Sequence, residues 1–395
     1  MVQLSRRAAL LGLTSAVALG RASLALAAAA TEQRFVVVIL RGALDGLSAV
    51  VPYGDPALAG LRGEIAPAAP GQEGGALDLG GFYGLHPVLA DLHGMYRTGE
   101  LLAVHAVAGP YRVRSHFEAQ DYLESGADHR MTSGWLNRVV ASLPAAPKPH
   151  AAGDALAIGV SVPLLLRGPA RVGSWAPHGF ADPSPDLYAR VAALSHGDPV
   201  IGPAIAEGLR DRGFSASVMA GEEPAAGRYA FPALATAAGR MLRESDGPRI
   251  AALEISGWDT HTAQIARLIG PLKQLNAGLA GMKAALGDTW RQTAVLVMTE
   301  FGRSVRVNGN RGTDHGTGTV AFVLGGAVAG GRVMADWPGL GAGKLLEDRD
   351  LQPTVDLRSV AKGLLGPHFG LDASALARVF PGSDAASPIR GLIRA

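Results

Sequence analysis

Six short apolar runs constrain this chain more than any other feature: Phe35–Leu40, Leu101–Val107, Leu156–Val162, Ile250–Ile255, Ala294–Thr299 and Val320–Leu324. Each is continuous rather than alternating, the pattern of a strand buried on both faces of a parallel sheet. Helical patterns lie between many of them. In Thr262–Leu286, apolar residues recur at Ile265, Leu268, Ile269, Leu272, Leu275, Leu279 and Met282, a helical period. Phe231–Leu242 and Val355–Leu365 are similar. Strands alternating with helices predict an α/β fold with a mostly parallel central sheet flanked by helices. At 395 residues, 48% of them hydrophobic, the chain can bury a sizeable core, and one elaborated domain over 28–395 accommodates it. The stretch at about 142–230 has fewer clean strands and many Pro and Gly breaks, and reads as an inserted cap region. No internal repeat is evident.

The polar residues that follow the runs carry the chemistry. Asp45 follows the first run, S-H-F-E at Ser115–Glu118 follows the second, and D-T-H at Asp259–His261 follows Ile250–Ile255. Glu300 ends the fifth, and D-H-G at Asp314–Gly316 precedes the sixth. In open α/β sheets, ligands bind in the crevice beyond the carboxyl ends of the strands. Cysteine is absent, which excludes a disulfide scaffold, thiolate metal sites and cysteine nucleophiles. The pooled set Asp45, Asp259, His261, Glu300, Asp314 and His315 offers oxygen and nitrogen ligands suited to Zn, Mn, Mg or Fe. Two imidazoles and four acids exceed one tetrahedral zinc, so the expected cofactor is one or two divalent metal ions.

Each motif also has a structural alternative. Asp45, between Gly42 and Gly46, could shape a turn. Asp259 and His261 share one side of an extended segment, which favours joint ligation, but Asp259 could instead cap the following helix. Asp314 could be a ligand, a turn former or the partner that orients an imidazole. Glu300 could pair with Arg303. Ser115 and Glu118 form S-x-x-E, a capping box. Yet a helix N-terminus also binds anions, so Ser115 beside a metal could be a nucleophile, with Arg112 and Arg114 clamping an anionic substrate.

The N-terminus places Arg6 and Arg7 before an apolar run, with A-x-A at Ala25–Ala27. This predicts a removable twin-arginine signal peptide over 1–27, and a periplasmic or secreted protein that passes through the twin-arginine export machinery. The apolar run is too short to span a membrane, and no second run of spanning length follows, so no stable membrane span remains after cleavage. Loss of Arg6, Arg7 and Arg21 leaves 33 basic against 34 acidic side chains, so the positive charge of the full sequence does not argue for nucleic acid.

The ordered motifs LRGALDGL, VPYGDP, GLHPVLADL, SHFEAQDYLESG, GWLNR, GWDTH, TEFGRSVRVNGNRGTDHGTGT, VLGGAVAGGRV and DWPGL closely resemble the exported family known as domain of unknown function 1501, from about Phe35 to the C-terminus. That family looks like a distant branch of the alkaline phosphatase and sulfatase superfamily. The resemblance implies an alkaline phosphatase-like fold, metal ligands at Asp45, Asp259, His261, Glu300 and His315, and a nucleophile at Ser115. Two departures stand out. Glu300-Phe301 replaces the superfamily's Asp-His pair, which implies a reduced metal complement. Ser115 lacks the x-P-x-R continuation of a formylglycine sulfatase, which argues against that activity.

The expected function is an exported metal-dependent hydrolase acting on a small phosphate or related anionic ester. Arg114 and Arg303 would stabilise developing negative charge. The alternative is a non-catalytic exported metal-binding or assembly protein on the same fold.

Overall fold

The computed structural model describes residues 32–144, 154–177, 190, 192–194, 197–198, 201–219 and 230–394. The expected leader, with Arg6 and Arg7, lies outside the described residues, as does part of the expected cap. No helix of the described residues is long and apolar enough to cross a membrane.

One large sheet organises the chain. Its strands are β1 (Arg34–Arg41), β2 (Leu101–Ala108), β3 (Ala155–Ile158), β4 (Gly173–Trp175), β5 (Ile250–Ser256), β6 (Thr293–Thr299), β7 (Thr319–Leu324), β8 (Arg332–Met334) and β9 (Val355–Asp356). The spatial order is β8-β2-β7-β6-β1-β5-β3-β4, with β9 also on β2. Strand β1 is central, parallel to β5 on one side and to β6 on the other. Its alternate residues feed both faces. Val36, Val38 and Leu40 join one apolar cluster and Phe35, Val37 and Ile39 the other. That is why the sequence reads as an unbroken apolar run.

Helices α2 (Phe231–Arg243) and α3 (Gln264–Leu286) cover the first face through Ala235, Met241, Leu272, Leu275 and Met282. Burying each such leucine or methionine contributes about 1.5–3 kcal/mol relative to leaving it in water. Helix α4 (Leu357–Phe369) covers the second face with Val360, Leu364 and Leu365, alongside Trp135 and Leu136.

Two features differ from the sequence expectation. Strand β7, expected to be parallel, runs antiparallel to both β6 and β2. A parallel neighbour needs a crossover, usually a helix; residues 300–318 contain none, so the chain turns straight back. Asp314 and His315 precede β7, and the reversal brings them to the edge where the other strands end. Within 142–230, β3 and β4 do not lie over the sheet but extend its edge beside β5. The Leu156–Val162 run therefore ends as a strand at Ile158.

Candidate metal centre

Three loops at the carboxyl edge of the sheet bring one residue cluster together. The loop after β2 leads into helix α1 (His116–Ser125), with Ser115 as its N-cap and His116 as its first residue. The loop after β5 carries Asp259 and His261. The loop between β6 and β7 folds on itself, with Arg303 bridging to His315, Ser304 N–H donating to Asp314 O at 2.8 Å, and Gly316 N–H donating to Gly302 O at 2.8 Å. A Cβ at Gly316 would lie 2.3 Å from the Arg303 carbonyl carbon, so this pairing requires glycine there. Gly42, at φ +119, lies against the backbone of Trp258 and Asp259, where a Cβ would sit 2.8 Å from Asp259 N.

His116, Asp259 and His315 form a group whose ligand atoms all lie within 4.8 Å of one another, and it could hold a metal ion. His116 Nε2 is 3.0 Å from His315 Nε2, and Asp259 Oδ1 is 3.3 Å from His315 Nε2. His261 adjoins the group, its Nε2 3.0 Å from both His315 Nε2 and Asp259 Oδ1. Tetrahedral zinc with bonds near 2.0–2.1 Å separates its ligand nitrogens by about 3.3 Å, so the spacing suits one small cation.

The outer contacts of the rings reinforce this. Each histidine sets its Nδ1 against an acceptor: His116 against Glu300 Oε1 at 2.8 Å, His315 against the Arg114 carbonyl at 3.1 Å, and His261 against Asp314 Oδ1 at 3.3 Å. This leaves the three Nε2 atoms facing one another, an arrangement that a cation between them would satisfy. An acceptor behind each ring is the usual support of a metal-binding histidine.

Electrostatics follow from the same contacts. Burial pushes the Asp259 carboxyl up, but the Arg303 guanidinium, which donates to Oδ1 at 2.6 Å, more than offsets it and holds the group below the ordinary value. Burial also pushes Glu300 up. The bond from His116, with those from Gly42 N–H and Gln120, outweighs it. Glu300 in turn raises the His116 pKa, whereas burial lowers that of His315. The Asn308 amide, with His261, lowers Asp314.

The residues singled out in the sequence take distinct positions. Asp259, His261 and His315 meet at the cluster. Glu300 and Asp314 stand behind imidazoles, with Glu300 bonded to His116 and not to Arg303. Asp45 is buried and commits both oxygens to other groups: Oδ1 to Arg62, and Oδ2 to Ser48 Oγ at 2.7 Å and to the Gln264 amide. Ser115 makes no side-chain cap bond, and Glu118 accepts from Tyr111, so the capping box does not form. Nor does Asp259 cap α3, whose N-cap is Ala263. The Arg114 guanidinium binds Asp350 at 2.8 Å and Glu347 at 2.5 Å. The buried Arg303 binds Asp259 and Thr313.

Sequence reasoning passed over His116. Its signal is present, a histidine opening a helix directly after a strand-end loop, but the S-x-x-E pattern that begins at Ser115 masks it. Phe301, noted in the sequence only as a departure from the superfamily's Asp-His pair, forms part of the surroundings. Buried where the superfamily resemblance expects histidine, its ring lies 4.9 Å from that of His116 and 5.1 Å from that of His315, centroid to centroid, and walls the cluster with carbon.

A family model described as Protein of unknown function (DUF1501) matches residues 100–380. Among curated proteins, none matches the chain.

Proposed function

The chain belongs to the family described as Protein of unknown function (DUF1501), and within it we propose that this member is an exported, metal-dependent hydrolase of phosphate or related anionic esters on an alkaline phosphatase-like fold. One observation carries the reading. Three imidazole Nε2 atoms and the Asp259 carboxylate converge at the carboxyl edge of a largely parallel sheet, with an acceptor behind every ring. That edge is where open α/β folds bind ligands.

His116, Asp259 and His315 would hold the ion, with His261 completing the set. When bound, a divalent cation supplies Lewis acidity toward a phosphoryl oxygen. The chain supplies the rest. Glu300 and the Arg114 carbonyl orient two rings. Arg303 keeps Asp259 ionised. Ser115, adjacent to His116 and free of the cap bond, attacks phosphorus from the N-terminus of α1, whose N–H groups favour the anionic group; the P–O bond to the ester's alcohol breaks as the serine proton passes to that alcohol, and water then cleaves the phosphoserine to release phosphate and restore the hydroxyl. Arg303 and Arg114 thus act through the residues they hold, since both guanidinium groups already face carboxylates.

A second reading has its own support. Four protein donors are enough to close a tetrahedral site, as in structural zinc centres, which favours a metal-binding or assembly protein without turnover. Elemental analysis of the exported protein, followed by a panel of phosphomonoesters, diesters and sulfate esters with Zn²⁺, Mn²⁺ and Mg²⁺, separates the two. The hydrolase reading expects metal-dependent turnover that the double change His116→Ala with His315→Ala abolishes and Ser115→Ala lowers at least a hundredfold. Stoichiometric metal with no turnover on any ester would overturn it in favour of the second reading.

A further inference from the structure

A cavity of about 360 Å³ opens beside the metal centre, and α1 connects the two. His116, Gln120 and Glu124 recur at four-residue spacing, so they form one stripe along the helix, roughly 12 Å from end to end. His116 is in the metal group. Gln120 lines the cavity while its amide donates to Glu300 Oε1 at 3.2 Å, the oxygen that also holds His116. Glu124, at the far end, lines the cavity and accepts from Arg41 at 2.8 Å. The cavity and the centre therefore share a wall.

The lining is charged but balanced. Arg41 faces Glu124 and Glu254, Arg130 faces Asp121, and Arg167 completes three cations against three carboxylates. A lining with no net charge gives no electrostatic preference for a second anionic group. It offers fixed donors next to fixed acceptors, which suits a neutral ligand bearing neighbouring hydroxyls, each able to donate and accept. Phe117, 86% exposed on the cavity rim, adds a flat apolar face suited to the C–H side of a ring.

We propose that this cavity binds a saccharide, and that the ester cleaved at the metal centre is borne on a sugar. The substrate class rests on the hydrolase reading above, whereas sugar binding by the cavity does not. The test uses the mature protein stripped of metal, so that turnover plays no part. Saturation-transfer NMR is run against glucose, galactose, mannose and cellobiose, with adenosine as the non-saccharide ring control. At least one saccharide should bind, and its affinity should fall at least tenfold in both Phe117→Ala and Asp121→Asn. Both side chains lie on the surface of α1, and circular dichroism verifies that each variant is folded. Absence of binding by every saccharide overturns the proposal, as does binding that both folded variants retain or a preference for adenosine. None of these results bears on whether the metal-loaded protein hydrolyses esters.

Discussion

His116 Nδ1 lies 2.8 Å from Glu300 Oε1, and this contact points the ring's other nitrogen at His315. The carboxylate that sequence reasoning placed on the metal here holds the ring of a histidine in the candidate group. Two substitutions separate the roles. His116→Ala should abolish metal binding. Glu300→Gln keeps the volume but loses the charge, and should weaken binding about 10- to 100-fold, the usual effect of changing a residue behind a ligand. Titration calorimetry with Zn²⁺ on the two folded variants distinguishes these outcomes. Equal and complete loss in both would make Glu300 a direct ligand.

Asp45 makes the opposite case. Its carboxylate is buried against Arg62, which is itself buried, and the Gln264 amide closes the other side. Removing one partner of a buried pair leaves an uncompensated charge, at a cost of about 3–5 kcal/mol. Asp45→Ala should therefore lower unfolding free energy by that order, measured in urea at pH 7, while metal stoichiometry of the folded fraction stays unchanged. A stable variant with an empty site would return Asp45 to the metal.

What was legible in the sequence divides along physical lines. The six apolar runs all became strands because burial on both faces leaves a local pattern. The direction of β7 was not legible, since apolar composition is the same for either direction and only the absence of a helix in 300–318 decides it. Asp259, His261 and His315 stood out as acids and imidazoles at strand ends. Which carboxylate enters the candidate group and which holds a neighbour was hidden, because Glu300 finds its partner at His116, far along the chain, and Asp45 is taken up by a buried Arg62 that no motif links to it. Ser115 and Glu118 matched a capping box, yet Tyr111 takes the glutamate.

Export can be tested apart from the site. The expectation rests on Arg6 and Arg7 before a short apolar run and A-x-A. Replacing both arginines with lysine should leave precursor in the cytoplasm, whereas the unchanged chain should appear outside it with residues 1–27 removed. Immunoblotting of cell fractions, with N-terminal sequencing, gives the answer. Normal export of the lysine variant would point to a different route.

Acid should destabilise the fold through buried histidines that are not part of the candidate metal group. His105 is fully buried; its Nε2–H donates to Val50 O at 2.9 Å, and its Nδ1 accepts from Ala106 N–H at 2.8 Å. Both nitrogens are satisfied only in the neutral ring. Burial brings His105 and His368 down to about 4 from the ordinary 6.5. Between those values the unfolded chain binds protons that the folded chain refuses, so stability is complete above about pH 6.5 and declines as pH falls toward 4. A shift of that size corresponds to about 3 kcal/mol for each ring. Urea unfolding at pH 7, 5.5 and 4.5 should show the decline. His105→Gln, which keeps hydrogen-bonding capacity without a titrating group, should be less stable at pH 7 yet lose less on acidification. An equally steep pH dependence in that variant would remove His105 from the account.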